Sequence, residues 1–464
     1  MSAGALPWRG RRLHFVGVGG AGMSGYARLA RALGAEVSGS DQANSPYAER
    51  LAADGVLRAS IGHAVENLAA GEQLEVIYSS AVPEDNVERR AARERGLAER
   101  SRAELLSELT GLRRTVAVAG THGKTTTASM LVHALRAAGL APGWMVGGFL
   151  GEGEPNAGWG EGEWLVVEAD ESDRSMLSLN VNIAVLTNVE LDHHTAFASL
   201  AELREAFASF LAAAHGAIVL WDQPALLELV PRETNALAAP ARDGEHPAAV
   251  ELVPFEAPRA VLGPDGSRFR WRGLEVRLAV PGAHNALNAV AALEAARLTG
   301  ADEAAAVRGL AGFRGAARRF QLLGSSTRGA RVYDDYAHHP TEVAATLQAA
   351  RTLEHERLVA AFQPHLFSRT ALLAREFGRA LALADAAGVL DVYPARERAE
   401  DYPGISGLMI AEATADCAEG RPVYWLPALA DAAPVLQGLL GDGDVCVIMG
   451  AGDVDAVART LVAA

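Results

Sequence analysis

Short apolar runs alternate with longer Ala/Leu/Arg-rich stretches along almost the whole chain. The runs at residues 13–18, 36–40 and 76–80 read as strands, and 24–33 and 86–95 carry the helical period. A second block opens with a strand at 114–119 and a helix over 126–138, then continues with strands at 164–168, 183–187 and 217–220. From about 242 to 279 the pattern shifts to short strand-like pieces with turns such as Gly263-Pro264-Asp265-Gly266, which predicts a β-rich insertion or edge. Pro281-Gly282 breaks the chain and a helix follows over 286–298. A third block begins near Gly312, with strands at 331–335, 358–362, 388–391, 423–426 and 445–449. Such alternation is the pattern of parallel sheets covered by helices on both faces. It predicts an α/β protein of three domains, 1–111, 112–312 and 313–464.

Composition narrows the class. The 464 residues suit roughly two to four domains of about 150 residues each. A net charge of −15 argues against a protein built to coat nucleic acid or an anionic membrane. Cys417 and Cys446 form neither a disulfide framework nor a zinc-ligand spacing, and a reducing compartment is expected. The first residues are short and polar, and there is no run of about 18 apolar residues, so a cytoplasmic protein without a membrane span is expected.

Lysine occurs once, as Lys124, in the segment Ala119-Gly120-Thr121-His122-Gly123-Lys124-Thr125-Thr126-Thr127. Every other basic side chain of the Lys/Arg pair is arginine. A guanidinium is a planar fork, whereas an ammonium is a compact point charge, and a tight glycine loop around phosphate oxygens distinguishes the two. A strand, this glycine loop and a helix place backbone N–H groups around an anion. Lys124 then bridges terminal phosphates and Thr125 is placed to ligate Mg²⁺. The spacing departs from a Walker loop, because Val118 stands where that loop has Gly.

Three further segments bear on chemistry. Gly17-x-Gly19-x-x-Gly22 follows a strand and opens a helix, with Asp41 at the end of the next strand. It suits a dinucleotide, a nucleotide-sugar diphosphate or a structural turn. Glu168-Ala169-Asp170-Glu171-Ser172-Asp173 gathers four carboxylates at a strand end, costly unless a cation compensates them, and hard oxygens suit Mg²⁺. Thr187-Asn188-Val189-Glu190-Leu191-Asp192-His193-His194 offers carboxylate and imidazole at another strand end. Polar clusters at 284–288, 318–320 and 334–340, and Gln363-Pro364-His365 with Ser368 and Arg369, extend the series, and dense polar strand ends suggest a composite site.

In their order these segments resemble the Mur ligase family. The resemblance is carried by residues 14–25, Gly39-Ser40-Asp41, Ser79-Ser80-Ala81, 119–127, 168–173, 187–193, 281–288, 318–321, 334–342, 362–370 and 391–395. Within the family it is narrowest to the branch that joins L-alanine to UDP-N-acetylmuramate, and Glu171-Ser172-Asp173 and Gln363-Pro364-His365 favour that branch over the one that recycles a tripeptide. The resemblance implies a Rossmann-like UDP-binding domain, a central P-loop ATPase-like α/β domain and a C-terminal Rossmann-like α/β domain. It implies UDP-sugar contacts at Gly17, Gly19, Gly20, Gly22, Met23, Ser24, Asp41, Ser79 and Ser80. ATP contacts are implied at Gly120, Thr121, His122, Gly123, Lys124, Thr125, Thr126, His284, Asn285, Asn288, Arg319 and Asp335. His338, His339, His365 and Arg369 are implied to approach the amino acid. The resemblance also implies Mg²⁺ at two sites, one at Thr125 and one at Glu168 and His193, with Mn²⁺ able to substitute. Lys124, Glu168, His193, Arg319, His338 and His339 are its implied catalytic set. The family leaves a homodimer open and implies no nucleic-acid partner.

Two positions depart from the family pattern: Leu366, where some members carry Arg, and Asp453, where Asn is frequent. The first shifts recognition of the alanine carboxylate toward Arg369. Several related ligases use a carbamylated lysine near the second metal. With Lys124 the one lysine, that device is absent, and Glu168 with its neighbouring carboxylates is left to hold the ion.

Overall fold

Among the described residues the strands assemble into four sheets. The computed structural model describes residues 6–69, 71, 73–151, 153–192, 196–232 and 250–463. The chain divides into two compact units, Met1–Ala257 with Asn288–Leu310, and Pro258–Leu287 with Ala311–Ala464.

The first unit holds two sheets. One is parallel, with β1 (Arg12–Val16), β2 (Glu36–Asp41), β3 (Ser60–Ile61), β4 (Leu74–Tyr78) and β5 (Ala98–Ser101) in the order β3-β2-β1-β4-β5. The other contains β6 (Arg114–Ala119), β7 (Gly143–Met145), β8 (Ala157–Gly158), β9 (Trp164–Glu168), β10 (Val181–Leu186), β11 (Ala214–Trp221) and β12 (Glu251–Phe255). Its order is β12-β11-β10-β6-β9-β7-β8, parallel except where β8 runs against β7. Central β6 is buried from Thr115 to Ala119, the continuous apolar run expected of a strand covered on both faces. The expected strand at 13–18 stops at Val16, because Gly17 turns the chain at φ +83°.

The second unit holds an antiparallel meander of β13 (Val261–Gly263), β14 (Gly266–Trp271) and β15 (Leu274–Leu278). It also holds a six-stranded sheet of β16 (Gln321–Ser325), β17 (Arg331–Asp335), β18 (Leu358–Phe362), β19 (Ala386–Leu390), β20 (Val423–Leu426) and β21 (Val445–Met449). The order is β16-β17-β21-β18-β19-β20, parallel except for edge strand β16. The expected β-rich stretch therefore splits. Residues 251–255 join the large first-unit sheet as its edge, 261–278 form the meander, and 242–249 lie outside the described residues. Among the described residues no helix is long and apolar enough to cross a membrane.

A buried carboxylate ties the first sheet together. Glu88 has no exposed surface. It accepts hydrogen bonds from Ser40 Oγ at 2.6 Å, Asn67 Nδ2 at 2.6 Å and the Ala64 N–H at 3.1 Å, and lies 3.2 Å from His14 Nε2. Ser40 sits on β2, and its carbonyl accepts the Gly17 and Val18 N–H groups. Burial works against the Glu88 charge, but the bonds from His14, Ser40 and Asn67 outweigh it and hold the pKa at about 2.

Glu88→Ala removes that acceptor and leaves several donors buried without it, so stability should fall by about 3 kcal/mol, read by urea unfolding near neutral pH. The folded pKa lies below the unfolded one, so the carboxylate contributes fully above the ordinary range and loses its contribution as pH falls from 4.5 toward about 2. The difference between wild type and variant should close across that window. A difference that stays constant through it rules out the charge as the source.

Candidate active site

β6 passes the chain to the helix Lys124–Ala137 through Gly120-Thr121-His122-Gly123. Gly120 (φ +134°) and Gly123 (φ +81°) lie where a side chain is strained. A Cβ on Gly120 would fall 2.1 Å from Thr187 Oγ1, and one on Gly123 would fall 2.6 Å from Asn288 Oδ1. The end of β10 holds the loop from outside. Thr187 Oγ1 and Asn188 Nδ2 donate to the His122 carbonyl at 2.7 and 2.9 Å, and the His122 N–H donates to Asn188 Oδ1 at 2.9 Å. Thr121 Oγ1 donates to the Glu190 carbonyl at 2.8 Å, and His122 Nε2 lies 3.0 Å from Glu190 Oε2.

The Lys124 ammonium donates to the Gly120 carbonyl at 2.6 Å, the Thr121 carbonyl at 3.1 Å and Glu171 Oε1 at 2.9 Å. Three donors thus meet three acceptors. Burial pulls its pKa down, but Glu171, with Asp170 and Glu168 behind it, outweighs burial and keeps the group charged. The next residue, Thr125, donates to Glu168 Oε2 at 2.9 Å, which also accepts the Gly147 N–H at 2.7 Å. Hydroxyl and carboxylate oxygens beside a helix N-terminus fit a hard divalent cation, and the glycine cradle fits phosphate. Three of the four carboxylates of this strand end are paired with protein cations. Lys124 takes Glu171, while Arg102 takes Asp173 and, through Nη2 at 3.1 Å, Asp170. Burial raises the Asp170 pKa, and Lys124 and Arg102 bring it down to about 2.

The first glycine loop is built by similar means. The Gly19 N–H donates to Asp41 Oδ2 at 2.8 Å, and Ser45 Oγ donates to the Gly19 carbonyl at 2.7 Å. Gly20 opens the helix Ala21–Ala32 without a side-chain cap. The first N–H groups of that helix are therefore placed to meet an anion. Ser79 lies against Gly17, whose Cβ would meet the Ser79 Cβ at 3.5 Å, and Ser80 is exposed. Met23 is buried, and Ser24 Oγ donates to the Ala21 carbonyl at 2.9 Å.

In the second unit the expected residues gather at the ends of β17 and β18. Asp335 accepts the Phe320 and Ala337 N–H groups, each at 2.7 Å. It thereby braces the turn that presents Arg319, whose Nη1 lies 3.9 Å from Glu342 Oε1. Burial pushes the Asp335 pKa to about 6 against the pull of Arg319. Burial also lowers the His284 pKa to about 4, so that ring is neutral at pH 7. Asn285 Nδ2 donates to the Pro281 carbonyl at 2.7 Å.

His339 Nδ1 accepts the Thr341 N–H at 3.4 Å and caps the helix Pro340–Ala350, which assigns the proton of the neutral ring to Nε2. His338 differs. Its Nδ1 lies 2.9 Å from the Tyr336 carbonyl and so carries the proton, making Nε2 the basic nitrogen. The His338 and His365 rings lie 5.9 Å apart, and Arg369 Nη1 donates to the His365 carbonyl at 3.1 Å. Leu366, the first departure, is buried with φ +73° at the start of the helix Phe367–Leu381. Asp453, the second, accepts Gln363 Nε2 at 2.8 Å through Oδ1, a bond an Asn carbonyl makes equally well.

His193 lies outside the described residues. Sequence reasoning had not singled out Arg102, although Ser101-Arg102-Ala103-Glu104 is a capping-box signature that was open to reading. The Glu342 carboxylate, which accepts the His338 N–H at 3.0 Å, stood likewise three residues after a cap.

Three family models match in order: the Mur ligase family catalytic domain over residues 12–114, the Mur ligase middle domain over 118–296, and the Mur ligase glutamate ligase domain over 318–452. The UDP-N-acetylmuramate–L-alanine ligase of Rubrobacter xylanophilus is 43% identical over 460 residues, 97% of this chain and 99% of that protein. The ligase of the same name from Mycolicibacterium vanbaalenii is also 43% identical, over 99% of this chain and 97% of that protein. Among solved structures, the UDP-N-acetylmuramate–alanine ligase of Thermotoga maritima superposes with a TM-score of 0.80 at 27% identity, covering 97% of this chain and 98% of that one. A murein peptide ligase from Psychrobacter arcticus shares the fold, with a TM-score of 0.69 at 24% identity over 98% of each chain. With all three domain models in sequence and near-full-length identity to ligases of one name, the chain belongs to the Mur ligase family, in its UDP-N-acetylmuramate–L-alanine ligase branch.

Proposed function

We infer that this chain is an ATP-dependent ligase that joins L-alanine to the lactyl carboxylate of UDP-N-acetylmuramate, giving ADP and phosphate, in the cytoplasmic stage of peptidoglycan precursor synthesis. The observation that carries this is the 43% identity over 97% of the chain to a ligase of that activity. The Lys124 loop supplies the chemistry such a reaction needs. By resemblance we assign residues 1–111 to the UDP-sugar, 112–312 to ATP and 313–464 to the amino acid.

The acceptor carboxylate has a reference pKa near 4 and is ionised at neutral pH, so it needs no base. The obstacle is bringing that anion to a triphosphate. Lys124 holds the terminal phosphates, and Arg319 is assigned to the γ-phosphate. Thr125 and Glu168 would hold Mg²⁺, with a second ion assigned to Glu168 and His193 and Mn²⁺ able to substitute, and such ions neutralise phosphate charge. A carboxylate oxygen bonds to the γ-phosphorus, the bond to the β-phosphate oxygen breaks, and ADP leaves. The neutral amine of alanine then bonds to the acyl carbon, and the carbon–oxygen bond to phosphate breaks. We assign the amine proton to His338 Nε2. His339, whose Nδ1 caps a helix, is a poorer base. Exclusion of water protects the acyl phosphate from hydrolysis.

Phosphate release from ATP in the presence of UDP-N-acetylmuramate should depend on L-alanine across a panel of amino acids and the tripeptide. Release with the tripeptide alone would move the chain to the recycling branch. Lys124→Arg should lower turnover by about a hundredfold or more with the melting temperature unchanged, because a fork does not fit three acceptors placed for an ammonium. Near-normal turnover in that variant would remove the point-charge argument. His338→Ala should change the shape of the pH–rate profile, whereas an unchanged profile dismisses its role.

A further inference from the structure

Arg102 is a charged group that the reaction above leaves unused, and it stands between the two glycine loops of the first unit. It opens the helix Arg102–Gly111, set by the capping box of Ser101 and Glu104. Its side chain is 17% exposed. Nη2 lies 3.1 Å from Asp170 Oδ2 and Nε donates to Asp173. Nη1 lies 3.1 Å from where a Cβ on Gly22 would stand, at the start of the helix that follows the first loop. The guanidinium therefore faces the first turn of one loop's helix on one side and the acidic end of β9 on the other.

The charges at that strand end can be followed one by one. Lys124 pairs with Glu171, and Arg102 with Asp170 and Asp173. Glu168 accepts only neutral donors among its described partners, Thr125 Oγ1 and the Gly147 N–H. Four carboxylates against two cations leave a net charge of −2, which one divalent cation neutralises. Glu190 nearby is paired with His122. Without Arg102, Asp170 and Asp173 would bear on Lys124 uncompensated, and the ammonium would leave a deeper well to meet a phosphate.

We propose that Arg102 is a positioning residue for the triphosphate loop: by taking Asp170 and Asp173 it leaves Lys124 available to phosphate and sets the strand end at the charge of one divalent cation. The inference rests on the reading of this loop as the seat of ATP and Mg²⁺. It differs from a simple tether in the sign of its effects. Removing a cation strengthens the hold on a metal and weakens the hold on a bare polyphosphate, whereas damage to packing weakens both.

The test uses the full chain, wild type, Arg102→Gln and Arg102→Lys, without turnover. Free Mn²⁺ is followed by electron paramagnetic resonance in the absence of nucleotide, and ADP binding by calorimetry with divalent ions chelated. Arg102→Gln should bind Mn²⁺ about tenfold tighter and ADP about tenfold weaker, as loss of one nearby unit charge requires at intermediate dielectric. Arg102→Lys should return both toward wild type. Adding Asp170→Asn to Arg102→Gln should also return both, since it removes the uncovered charge. Two affinities that fall together, two that do not move, or no recovery with Asp170→Asn overturns the role of Arg102. A wild-type chain that binds neither Mn²⁺ nor ADP overturns the assignment of the loop itself, and this inference with it.

Discussion

A cation that must wait for phosphate inside a protein needs somewhere to be held in the meantime. In the proposed reaction Lys124 is that cation, and the arrangement of its loop follows from holding it. Two loop carbonyls and Glu171 satisfy its three N–H groups. A buried ammonium without them would be neutral, and a neutral amine cannot hold a triphosphate. Yet the carboxylates that keep Lys124 charged repel each other and the ligand. The fold meets that conflict by spreading the load: Arg102 covers Asp170 and Asp173, and Glu168 turns to Thr125 and the Gly147 N–H.

Both glycine loops of the first unit obey one geometric rule. The backbone turns into a helix N-terminus, where we propose an anion sits, and neighbouring side chains crowd the turn from behind. At Gly123 the space a Cβ would need is occupied by Asn288, and at Gly19 by Asp41 and Ser45. Glycine at these positions answers close approach as much as backbone angle. The braces are themselves anchored: Asp41 follows Ser40, whose hydroxyl donates to Glu88 in the buried network below.

In the second unit, polar residues at the strand ends divide by task. Asp335 and His339 are spent on backbone N–H groups, one bracing the Arg319 turn and one capping a helix. His338 places its Nδ1 against the Tyr336 carbonyl, and Arg369 lies buried against His365. Residues that look equivalent in a motif therefore differ in what remains for chemistry once folding has used its share.

The sequence by itself determined the alternating α/β order and the motifs to which the chemistry is assigned. β6, β9, β17, β18, β20 and β21 coincide with runs read directly, and β6, β9, β18 and β21 are the continuous hydrophobic segments expected of strands buried on both faces. The glycine loops were legible too, since loop and helix start are neighbours along the chain. The brief pairing of β7 with β8 was not, because two or three residues carry no period. Nor was the fate of residues 251–255, since joining an edge depends on which strand is already there. Only the tertiary structure decided which charges pair. Lys124 meets Glu171 across 47 positions, and Arg102 meets Asp170 across 68. Coulomb attraction and hydrogen bonding act over a few ångströms of space, and separation along the chain leaves those distances open until the sheets are assembled.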